Sequence, residues 1–61
     1  MNQQQDYPLI LTAEDIANIL MINKNKAYEL MKQKGFPTIT MGRLKRVNRD
    51  SFFKWIEEQQ N

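Results

Sequence analysis

The stretch LTAEDIANILMINKNKAYELMKQKGFP, Leu11 to Pro37, decides the fold, because it holds two helix starts and one firm stop. Thr12 followed by Asp15 has the spacing of a capping box with Asp in place of Glu, and Leu11 and Ile16 fall at the N′ and N4 positions of a hydrophobic staple. Ala13, Ile16, Ala17, Ile19 and Leu20 then share one side at about 3.6 residues per turn, with Glu14 and Asn18 opposite. This predicts a first helix over 13–20. Met21, Ile22 and Asn23 break the pattern, and Asn23 suits the N-cap of a second helix running from Lys24 to about Lys34. Gly35 takes the C′ place, Phe36 falls at C″ where a Schellman ending brings it to Met31, and Pro37 prevents continuation. Two short helices joined by a tight turn form a helix-turn-helix unit.

After Pro37 the sequence changes to Thr38-Ile39-Thr40-Met41, Gly42-Arg43, Leu44-Lys45-Arg46-Val47, which reads as a small β-hairpin. A two-residue Gly42-Arg43 loop pairs Met41 with Leu44, whereas a three-residue loop, Gly42 to Leu44, places Ile39, Met41 and Val47 on one face. The three-residue register is expected, since it gathers those apolar side chains toward the helices. Asn48 is a further N-cap, Val47 and Phe52 form a second staple, and helix 3 begins at Arg49 with Phe52, Trp55 and Ile56 inward and Phe53 at the rim. Residues 1–8, polar and aperiodic, read as a mobile arm that docks around Tyr7, and residues 9–59 as one domain. The expected fold is mainly α with a small β-hairpin: a winged helix-turn-helix of three helices, the wing between helices 2 and 3.

Composition narrows the function. The 61 residues, 41 % apolar, leave room for one small core, and an enclosed substrate pocket is not expected. Cys and His are both absent, which removes disulfides, thiolate metal sites and the commonest catalytic base, so neither an enzyme nor a cofactor or metal site is expected. No apolar run approaches the roughly 20 residues that cross a bilayer, and the reading is a cytoplasmic protein with no membrane partner. Net charge is only +2, but Lys24 to Arg49 holds eight cations and one carboxylate (Glu29), a local +7, and the flanks balance it with −5. A basic centre of this kind is the footprint of a polyanion partner.

Helix 2 turns Ala27, Leu30 and Met31 inward, leaving Asn25, Tyr28, Glu29 and Lys32 on the opposite stripe. In a DNA major groove Asn can bond adenine bidentately, Lys can donate to guanine, and Tyr can reach a phosphate or a thymine methyl, with Lys24 at the helix N-terminus. An ordinary solvated helix face accounts for the same residues equally well. The hairpin adds Arg43 at its tip with Lys45, Arg46 and Arg49 behind it. Such a basic wing can lie along phosphates or enter a minor groove, and the same charges also protect an exposed strand edge. At helical spacing, Phe52 and Trp55 read as core and not as a stacking platform. Glu14-Asp15 and Glu57-Glu58 are neighbours in sequence, not on one face, and do not make a catalytic dyad.

Taken in order, Leu11-Thr12, Asn23, Tyr28, Gly35, Pro37, Gly42-Arg43, Arg46 and Trp55 resemble the small winged helix-turn-helix domains of the excisionase-like family, related to the MerR-type superfamily. The resemblance spans Leu11 to Glu58. Asn23 and Lys26 stand where that family usually has Ser and Thr, and Lys45 where it often has an aromatic. The resemblance implies a DNA-binding protein of a mobile genetic element, an excisionase or small transcriptional regulator, with helix 2 in the major groove and the wing in the adjacent minor groove. Expected partners are double-stranded DNA and a recombinase, replication enzyme or further copies of the chain. The alternative is an accessory subunit that uses the same fold, through Phe36, Phe53 and the helix 3 rim, to grip a replication or recombination enzyme. The DNA-binding residues expected are Lys24, Asn25, Tyr28, Lys32, Arg43, Lys45, Arg46 and Arg49.

Overall fold

A computed structural model describes residues 6–60. The elements run β1 (Ile10–Leu11), α1 (Ala13–Leu20), α2 (Lys24–Met31), β2 (Thr38–Met41), β3 (Leu44–Asn48) and α3 (Arg49–Glu58). This is a winged helix-turn-helix whose wing belongs to a three-stranded antiparallel sheet of order β1-β3-β2. Of the expected arm, residues 1–5 lie outside the described part.

The helix starts follow the local chemistry. Asp15 N–H donates to the Thr12 hydroxyl at 3.2 Å while Thr12 N–H donates to the Asp15 carboxylate at 2.9 Å, closing the capping box at α1. Asn23 accepts from Lys26 N–H at 2.8 Å and Asn48 from Ser51 N–H at 2.9 Å, capping α2 and α3. Both staples close in the core, where Leu11, Ile16, Val47 and Phe52 are all fully buried. Ala13, Ala17, Ala27, Met31 and Phe36 complete it, with Trp55 edge-on to Phe36 at 4.8 Å.

The helix ends differ from expectation. α2 stops at Met31, not near Lys34: Lys32 and Gln33 N–H turn to the carbonyls of Glu29 and Leu30, three residues back, in a tightened last turn. The Thr38 hydroxyl then donates to the Met31 carbonyl at 2.8 Å, filling an acceptor that a further helical turn would use. Gly35 does take positive φ, 93°, but Phe36 N–H donates to Gln33, so the Schellman ending expected there is absent. It occurs instead at α1, where Ile22 N–H reaches the Ala17 carbonyl at 2.9 Å and Met21 N–H reaches Asn18 at 3.3 Å. Met21, at φ 59°, occupies a left-handed position that usually falls to glycine, and its side chain is 90 % exposed.

The hairpin register also corrects the expectation. Met41 pairs with Leu44, Ile39 with Arg46 and Thr38 with Val47, so the loop is the two-residue Gly42-Arg43 and not Gly42 to Leu44. Gly42 takes φ 61° at the first loop position while Arg43 keeps negative φ, the pattern of a type II′ turn, whose twist matches that of paired strands. The anticipated apolar gathering is not needed. Leu11, through β1, pairs with Val47 and together they cover the sheet's inner face, leaving Ile39, Met41 and Leu44 on the outer one.

Candidate nucleic-acid interface

The two-residue strand β1 looks minor, yet it assembles the site. By pairing Leu11 with Val47 it holds the start of α1 beside the base of the wing. A cleft of about 360 Å³ opens there, lined by Thr12, Ala13 and Glu14 of α1, Lys24 and Tyr28 of α2, and Arg43 to Arg46 of the wing.

Five of the eight expected residues line this cleft: Lys24, Tyr28, Arg43, Lys45 and Arg46. Lys24 and Tyr28 lie one turn apart on α2, capped by Asn23, and Tyr28 is 42 % exposed. Arg43 stands at the wing tip, while Lys45 and Arg46 project from β3 and are half-buried. The Arg46 guanidinium donates to the Lys45 carbonyl at 2.9 Å, which holds it along its own strand. Asn25 and Lys32 are exposed on the same stripe of α2 but outside the cleft walls, Lys32 just past the last helical residue.

Arg49 lies apart from the others. Its guanidinium donates to the Tyr7 carbonyl at 2.8 Å and pairs with Asp50 at 3.1 Å, its backbone N–H donates to Leu9 at 2.7 Å, and its side chain is 19 % exposed. Tyr7 in turn packs on Phe53, ring centroids 5.9 Å apart. Arg49 therefore fastens the entering chain to the start of α3. Phe36 is likewise core, 8 % exposed.

Among the described residues the one ion pair is Arg49 with Asp50, so the four cleft cations have no carboxylate partner within 4 Å among them. Sequence reasoning missed Glu14, the single carboxylate in the cleft wall. The sequence places Glu14 only on the solvent side of α1, opposite its apolar face, since the β1 pairing that carries it to the wing has no local signal. Among the described residues there is no group of acids, His or Cys suited to a metal ion, and no helix is long and apolar enough to cross a membrane.

A helix capped at a tight turn, with its outward face flanked by a basic hairpin, defines the winged helix-turn-helix class of protein. Residues 10–60 match the family model described as Helix-turn-helix domain, a family that contains excisionase-like members. The chain belongs to this helix-turn-helix family, and membership supports DNA as its partner. Comparison with curated proteins and with solved structures gives no match.

Proposed function

We propose that the protein binds double-stranded DNA sequence-specifically, without catalysis, as the excisionase or small transcriptional regulator of a mobile genetic element acting in the cytoplasm. The observation that carries this reading is the convergence of Lys24 and Tyr28 with Arg43, Lys45 and Arg46 on one cleft. An α-helix fits the major groove, and cations on both sides of the cleft suit a phosphate backbone passing between helix and wing. Asn25 and Lys32 are exposed on the same stripe of α2, which supports assigning them the base edges and the flanking backbone. The mobile-element setting rests on the excisionase-like resemblance.

One module of this kind buries only roughly 600 to 1,000 Å², so useful affinity calls for further copies on repeated sites or for a recombinase or replication enzyme alongside. Of the alternative, an accessory subunit gripping such an enzyme through Phe36, Phe53 and the helix 3 rim, the Phe36 part loses support because Phe36 is packed against Trp55, while Phe53 is half-buried beside Tyr7.

Selection from a random duplex pool tests the reading. A defined sequence should be enriched, and Asn25→Ala should weaken binding to it by about 1 to 3 kcal/mol with little effect on arbitrary DNA, while Lys32→Ala weakens both about equally. No enrichment, with equal losses for Asn25→Ala on both DNAs, would remove base reading by α2.

A further inference from the structure

Cations account for the cleft but not for the side chains beside it. The two-residue loop sets Met41 directly opposite Leu44 on the outer face of the wing, on either side of Gly42-Arg43. The two are 51 % and 53 % exposed. Directly paired residues share a face with their Cβ atoms about 5 Å apart, so Met41 and Leu44 form one apolar blade flanking the Gly42-Arg43 loop. Neither is needed for the fold, since Val47 and Leu11 cover the inner face of the sheet. Single exposed apolar residues are ordinary, but a cross-strand pair at a protruding tip, continued along the same face by Ile39 at 41 % exposure, is a patch.

We propose that the Met41/Leu44 pair is a wedge that enters the minor groove of duplex DNA together with Arg43, partly unstacks a base step and bends the duplex. This rests on the DNA-binding reading and adds to it a deformation of the DNA. Continuity is the first argument: Leu44 and Arg43 line the cleft, so a duplex seated there lies against the blade. Charge is the second, because Thr38 to Asn48 contains three cations and no carboxylate. Side-chain chemistry is the third: Met and Leu are among the residues that proteins push between base steps, beside Arg or Lys that read groove width. An acidic, apolar surface of another protein fits the same charges, and the experiment separates the two.

The probe is a duplex of about 30 base pairs carrying the sequence enriched by selection, with a fluorophore pair at its ends and 2-aminopurine placed in turn along it. Wild-type protein should shorten the end-to-end distance by a bend of about 20 to 90° and raise 2-aminopurine emission at one step. Met41→Ser/Leu44→Ser should unfold at the wild-type temperature, lose both signals and bind about tenfold more weakly. A bound duplex that stays straight and stacked under wild-type protein overturns the wedge, whether or not the double variant folds. So does a bend that survives the double substitution. A straight bound duplex, with the double variant impaired only in contacting a partner protein, assigns the face to that protein instead. Failure of wild-type protein to bind any duplex is a different result, and it overturns the DNA reading itself.

Discussion

At each helix N-terminus a side chain caps an amide three residues on, Thr12 for Asp15 and Asn23 for Lys26, and the apolar faces of α1 and α2 close on one another. The wing is built otherwise. It is held by pairings as distant as Leu11 with Val47, has one fully buried residue of its own, Val47, and leaves Ile39, Met41 and Leu44 on its outer face. The helices and the base of the sheet therefore carry stability, and the wing tip is free to carry contacts. A domain of this size has few kcal/mol in reserve, so the division sorts substitutions sharply.

The largest effect is expected at Phe52, fully buried where α3 meets the sheet and ringed by Phe36, Phe53 and Trp55. Phe52→Ala should cost about 3 to 5 kcal/mol and unfold the chain, as read by thermal unfolding. Gly42→Val tests the join between the regions. A Cβ at Gly42 meets nothing within 4 Å, so the penalty comes only from φ 61°, and about 1 to 3 kcal/mol of lost stability is expected with weaker duplex binding. Arg43→Ala is the smallest in stability and the most specific in function. Unfolding should change by no more than about 0.5 kcal/mol while duplex affinity falls. If Arg43→Ala unfolds the protein, the wing tip is structural and the division fails.

The caps were legible in the sequence because Thr12, Asn23 and Asn48 act on amides within three residues, and the Val47/Phe52 staple because its members are close in the chain. What escaped was non-local. Two residues of β1 have no pattern of their own until Val47 and Asn48 lie opposite them. The wing register differs from expectation because Ile39 and Met41 need no burial, Leu11 closing the inner face from β1. The end of α2 depends on the Thr38 hydroxyl reaching back to Met31. Of the expected contacts, charge and position alone marked Lys24, Tyr28, Arg43, Lys45 and Arg46, which do converge. Arg49 has the same charge, but its guanidinium is held by Tyr7 and Asp50.

The salt dependence of duplex affinity tests most directly whether the cleft between α2 and the wing seats DNA. With Lys24, Lys32, Arg43, Lys45 and Arg46 each neutralising a phosphate, log K against log[salt] should have a slope of about −4 to −5, and Arg43→Ala or Lys45→Ala should each reduce it by about 1. Arg49→Gln, which removes a cation outside the cleft, should leave the slope unchanged. A wild-type slope near zero, or one that falls for Arg49→Gln but not for Arg43→Ala and Lys45→Ala, would contradict the assignment.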